Sequence, residues 1–129
     1  MAAKDLPIYR SATRLISLLY DSTKKAPRDL RHTLVQRLLD ETVEVCVGIV
    51  EANRVIGADR IPRVERLRQR ITRTETLLTV ALEQRCISKG AAATAMEHVD
   101  SLGRQATGWL EKTKEGAAAT RKAPATTAD

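Results

Sequence analysis

Thr42-Val43-Glu44-Val45-Cys46-Val47-Gly48-Ile49-Val50 decides how this chain is read. Val43, Val45, Val47 and Ile49 alternate with other residues, and branching at Cβ favours extended backbone. Taken alone, the stretch reads as a strand. The rest of the sequence overturns that reading. No second strand signal exists to pair with it, and no breaker separates it from the helical pattern before it. Leu30, Leu34 and Leu38 continue into Val45 and Ile49 at helical spacing. The stretch is therefore the far half of a helix over about residues 28–54. A helix that is apolar on nearly every side is buried on several sides. In a chain of 129 residues this predicts a subunit interface as well as a core, with Val43, Val47 and Val50 facing the neighbour.

Three more helices lie on either side. The first covers about residues 7–25, with Ile8, Ala12, Leu15, Ile16 and Leu19 recurring on one face. Pro7 suits the first helical position, Asp5 or Leu6 the cap, and Pro27 stops this helix and starts the next. Gly57, Asp59 and Pro62 mark the following turn. The third helix spans about residues 61–85, with Val64, Leu67, Ile71, Leu78 and Leu82 inward. Ser88 is the expected N-cap of the fourth, which reaches about Thr113 along Ala91, Ala95, Val99, Leu102, Ala106 and Trp109. Its alanines, with Gly103 and Gly108, are expected to permit close helix approach.

Four long helices joined by short turns predict an all-α, up-down-up-down four-helix bundle over residues 1–115. Residues 116–129 are Ala, Thr, Lys and Pro without periodicity, which predicts a disordered tail. Lys112, Lys114, Arg121 and Lys122 either brush a polyanion there or are simply solvated. Phenylalanine is absent, so the core must be aliphatic, with Trp109, Tyr9 and Tyr20 as its only large rings. Trp109 is read either as a core residue or as a seal for the open end of the bundle.

The net charge is +6 and the pI about 9.7, with arginine outnumbering lysine 15 to 7. Such a balance favours a polyanionic partner. Cys46 and Cys86 are too few for a disulfide framework, so a reducing compartment fits. The first residues lack the apolar segment of a signal peptide, and no run of eighteen apolar residues spans a membrane. The cytoplasm is the expected location.

The densest chemical signal is Arg60, Arg63, Arg66, Arg68, Arg70 and Arg73, against the single acid Glu65. At about 100° per residue, Arg63, Arg66, Arg70 and Arg73 fall within roughly 80° of arc beside the apolar stripe. Guanidinium stays charged and forks onto phosphate oxygens. Arg60, Arg63, Arg66, Arg70 and Arg73 are thus candidate phosphate contacts that read no sequence. Equally, they could pair with Asp40, Glu41, Glu44 and Glu51 of the second helix across a subunit boundary. Arg68 lies off the stripe and reads as solvated. Lys24, Lys25, Arg28 and Arg31 form a second candidate nucleic-acid cluster; cations at Lys24 and Lys25 also simply suit a helix C-terminus. With three aromatics, all in or beside core stripes, base stacking has little to work with.

Leu6-Pro7-Ile8-Tyr9, Ala26-Pro27-Arg28, Thr33-Leu34, Ala52-Asn53, Leu102-Gly103-Arg104 and Gly108-Trp109 follow one another in a recognisable order and spacing. Over roughly residues 6–114 the chain resembles the four-helix-bundle family that includes the accessory variability determinant (Avd) proteins of diversity-generating retroelements. More distantly, it is similar to the four-helix proteins encoded in 23S rRNA intervening sequences. The resemblance implies a homopentameric barrel of bundles with a basic surface and no catalytic centre. It also implies partnership with a reverse transcriptase and its template RNA during cDNA synthesis.

Enzymatic readings find little. Di-iron bundles need paired Glu-x-x-His units, and only Asp29-x-x-His32 comes near, once and among cations. His98 has no ligand partner in spacing, and no Cys-x-x-Cys, phosphate loop or nucleophile elbow occurs. No cofactor or metal is expected. The alternative to nucleic-acid binding is a protein-interaction scaffold whose arginines are paired between subunits.

Overall fold

Residues 42–50 are helical, within α3 (Leu34–Arg54). A computed structural model of the chain describes residues 1–122. Its other helices are α1 (Pro7–Ser22), the single turn α2 (Arg28–Arg31), α4 (Arg60–Glu83) and α5 (Lys89–Lys122). Short 3-10 turns occupy Ala3–Asp5 and Gly57–Asp59. The packed pairs of long helices among the described residues are α1 with α3, α3 with α4, α4 with α5, and α5 with α1. Four long helices thus stand in a ring around one core, as the periodicity predicts. The helix-to-helix turns alternate between its two ends, so the turn after α1 and the turn after α4 share an end.

The apolar stripes meet where the spacing puts them. Leu15 and Leu19 of α1, Leu38, Val45 and Ile49 of α3, Val64, Leu67 and Leu78 of α4, and Val99 and Leu102 of α5 are fully or almost fully buried. Truncating any of these leucines to alanine costs about 2–5 kcal/mol through lost transfer energy and the cavity left behind. Thr42 and Thr74 are also buried; each hydroxyl donates to a carbonyl four residues back, Leu38 O at 2.8 Å and Arg70 O at 3.0 Å. That pairing lets a polar side chain sit in an apolar core.

The element boundaries follow local chemistry. Pro7 occupies the start of α1, with Leu6 at the cap position. The Ser88 hydroxyl accepts the Ala91 N–H at 3.2 Å and caps α5. At the end of α4, Arg85 takes a left-handed φ of 61°. The Cys86 N–H then reaches Ala81 O at 2.8 Å, and the Arg85 N–H reaches Leu82 O at 3.0 Å. This doubly bonded stop normally uses glycine at the left-handed position.

Four expectations need correction. The helix read over residues 28–54 is two helices, because the chain turns at His32 and Thr33. The Thr33 hydroxyl donates back to Asp29 O at 3.0 Å, and its backbone leaves helical geometry. Residues 116–122, expected to be part of a disordered tail, are helical: α5 continues to Lys122, carried by Ala117, Ala118 and Ala119, strong helix formers. The remaining residues of that tail, 123–129, lie outside the described residues. Gly103 and Gly108 do not bring helices together, since a Cβ built on either meets nothing within 4 Å. Tyr20 belongs to no core stripe; it is 59% exposed, with the Lys24 ammonium 5.3 Å from its ring centroid.

The stretch that decides the fold is less enclosed than its composition implies. Val45 and Ile49 are buried, Cys46 and Val50 are half-buried, and Val43 and Val47 are 44% and 40% exposed. The two exposed valines form a short apolar edge on the outer face of α3.

Candidate nucleic-acid interface

The arginine row of α4 lies along the groove between α3 and α4, and its members differ in what holds them. Arg60 turns inward. Its Nε donates to Ala52 O at 3.0 Å and Val55 O at 2.9 Å, and its guanidinium carbon lies 5.5 Å from the Trp109 ring centroid. It closes the C-terminal end of α3, whose last carbonyls have no partner within the helix. Arg60 Nε is therefore committed to backbone carbonyls and to the end of α3, which sets Arg60 apart from the exposed Arg63 and Arg66. Trp109 is half-buried and packs with Ile61, Ala52, Val64 and Leu110, so it belongs to the core and also covers this end of the bundle.

Arg70 and Arg73 are already matched to a carboxylate. Arg70 Nη1 lies 3.5 Å and Arg73 Nε 3.4 Å from one oxygen of Glu41, whose side chain is only 12% exposed. The acid comes from α3 of the same chain, not from a neighbouring subunit. Arg63 and Arg66 are exposed and line a small concavity with Glu44 and Glu51. The ion pairs among the described residues are those two and Lys24–Asp21 at 3.6 Å, so Arg63 and Arg66 take part in none. Arg68 faces the other side of α4, in the groove toward α5 with Asp100 and Arg104.

The second cluster gains members. Lys24, Lys25 and Arg28 are exposed at the end of the bundle where α1 hands over to α2. Arg31 is exposed as well, although its guanidinium donates to Lys24 O at 3.2 Å and steadies the turn. Arg85 and Lys89 come to the same end from the turn after α4 and the first residue of α5. Spacing along the chain does not group them with Lys24, because some sixty residues intervene. The topology does, since the first and third turns of an up-down-up-down bundle share an end. Asp21 and Glu83 lie among them, and Asp29 sits close enough to Cys86 to act on its thiol.

Neither thiol is set up for chemistry. Burial pushes the Cys46 thiol from near 9 up to about 11. Burial, with the Asp29 carboxylate nearby, also raises that of Cys86. Both cysteines are free. His32 is exposed in the turn before α3, and no group of three or more His, Cys, Asp or Glu side chains converges among the described residues. No helix of the described residues is long and apolar enough to cross a membrane. No protein-family model and no curated protein matches this chain.

Proposed function

We propose that the protein is a non-catalytic, oligomeric, basic scaffold that binds RNA or an RNA–DNA hybrid and docks a reverse transcriptase during retroelement cDNA synthesis for diversity generation. The observation that carries the nucleic-acid part is the gathering of Lys24, Lys25, Arg28, Arg31, Arg85 and Lys89 at one end of a rigid bundle. Phosphodiester contacts need fixed cations and little else. Arg63 and Arg66 extend the basic surface along α4. The reverse transcriptase, the homopentamer and the cytoplasmic setting rest on the resemblance to the Avd-like proteins and on composition. In a ring, each subunit would repeat the same modest patch, so weak contacts would add.

The test is a salt titration of binding to a labelled single-stranded RNA. The slope of log K against log salt should approach about −0.7 per phosphate contact. Replacing Lys24, Lys25, Arg28 and Arg31 with glutamine should flatten that slope and leave the oligomer intact by light scattering.

One finding favours a protein-only scaffold as the second reading. Glu41 engages both Arg70 and Arg73 and leaves that cluster with a net charge of about +1, beside the exposed Val43 and Val47, giving α3 a mixed apolar and partly paired-charge face suited to another protein surface. In that case RNA binding is absent at every salt concentration, and Val43→Glu with Val47→Glu dissociates the oligomer.

A further inference from the structure

The basic end of the bundle holds a defined pocket as well as a charged surface. A cavity of about 980 Å³ opens between the turn after α1 and the turn that joins α4 to α5. Lys24, Lys25, Arg85 and Lys89 line it together with Asp21 and Glu83. Asp21 is engaged by Lys24 at 3.6 Å. Lys25, Arg85 and Lys89 enter no ion pair among the described residues. Leu82 and Ile87 give the cavity an apolar side.

We propose that this pocket is a phosphomonoester site, taking the terminal phosphate of a nucleic-acid strand or of a free nucleotide. The proposal rests on the nucleic-acid reading above and deepens it. The first argument is charge. Four cations against two carboxylates leave an excess of two. An internal phosphodiester carries one negative charge, whereas a terminal phosphate carries about 1.5 to 2 and exposes three acceptor oxygens. The pocket matches the second better than the first. The second argument is convergence. The cations come from three segments that approach one another only in the folded bundle, so they converge on one open hollow rather than follow a single helix. The third is Arg85. Its φ of 61° is a position that glycine occupies without strain, yet the chain keeps an arginine whose side chain lines the cavity. The N-terminus of α5, just after Ser88, adds its partial positive charge at the same place.

The experiment compares two versions of one 3′-labelled single-stranded RNA, bearing either a 5′-phosphate or a 5′-hydroxyl, by anisotropy with the full chain. The phosphorylated strand should bind at least about fivefold more tightly. Arg85→Gly with Lys89→Gln should weaken both strands by removing two cations, but should weaken the phosphorylated strand about fivefold more, so that the difference between them disappears. Arg85→Gly suits the backbone at that position, so loss of fold does not explain the result; Lys25→Gln provides a second variant that leaves the turn untouched. Competition with uridine 5′-monophosphate identifies the source. Displacement of the phosphorylated strand by micromolar nucleotide assigns the pocket to free nucleotides, and displacement only at millimolar levels assigns it to strand ends. Equal binding of both strands overturns the pocket and leaves the nucleic-acid reading standing. Binding of the nucleotide but of neither strand does the reverse. Binding of none of the three overturns both.

Discussion

The guanidinium carbon of Arg60 lies 5.5 Å from the ring centroid of Trp109. The same side chain donates from Nε to Ala52 O and Val55 O, so one arginine joins the end of α3, the start of α4 and the ring on α5. Arg60→Ala removes a carbonyl partner at two positions and a cation from a half-buried ring. The expected loss is about 2–3 kcal/mol, from one charged hydrogen-bonding group and one cation–π contact. Arg60→Lys should recover less than half of it, because an ammonium group lacks the planar fork and the Nε donor. Urea denaturation of the two variants measures both. A loss below about 0.5 kcal/mol for Arg60→Ala would return Arg60 to the free surface.

Cys46 gives a pH prediction. Its thiol is raised from near 9 to about 11 by burial. At pH 8 the native protein therefore holds about a hundredfold less Cys46 thiolate than an ordinary cysteine would, and the thiolate is the reactive form. Cys86, raised by burial and by Asp29, behaves in the same sense. Alkylation with iodoacetamide at pH 8 should be slow in buffer and fast in denaturant. The linkage follows from the direction of the shift. Neutral thiols are favoured by the fold, so the Cys46 contribution is full below pH 9 and is lost as the pH rises from there toward 11, and that of Cys86 is lost in the same direction. Rapid native labelling of either cysteine would contradict this.

These side chains also show how far the sequence could be read. The helical character of residues 42–50 was legible because Leu34 and Leu38 lead into Val45 and Ile49 in phase, whereas Leu30, read into the same helix, belongs to the separate turn α2. Arg60 was legible too, though the density of charge hid it. It stands eighteen residues, or about five helical turns, from Leu78, and so points the same way as a core residue. Glu41 was legible as one of four acids of the second helix that could pair with these arginines, but its selection, and a contact within one chain rather than between subunits, was not. It depends on the register of α3 against α4, which neither helix states alone. The turn at Thr33 carries no Gly or Pro, and only the hydroxyl's bond to Asp29 O reveals it. Arg85 and Lys89 needed the topology before they could join Lys24 and Lys25.

Gly103 and Gly108 lie within α5 and border the groove toward α4. Glycine costs a helix interior about 0.5–1 kcal/mol relative to alanine. A methyl group at either position meets nothing within 4 Å. Gly103→Ala and Gly108→Ala should therefore each raise stability by about that amount, and the double variant should gain close to the sum. Thermal unfolding at fixed protein concentration checks it. If either substitution lowers the midpoint, another protein surface occupies that groove in solution.

Glu41 separates the two readings of the arginine row. Its nearly enclosed carboxylate holds Arg70 and Arg73, which are 34% and 61% exposed. Pairs this open to solvent contribute about 0.2–1 kcal/mol each, so Glu41→Gln should lower stability by about 1 kcal/mol and leave the bundle folded. The larger effect should be on ligand binding. Two guanidinium groups would be released beside Arg63 and Arg66, turning two open cations into four along one groove. If RNA follows that groove, the variant binds it more tightly than the parent, and the salt slope steepens by up to about 1.4, at about 0.7 per added contact. If the groove instead meets a protein, RNA binding stays unchanged and that protein contact weakens, because a surface matched to one net positive charge would face two unpaired cations.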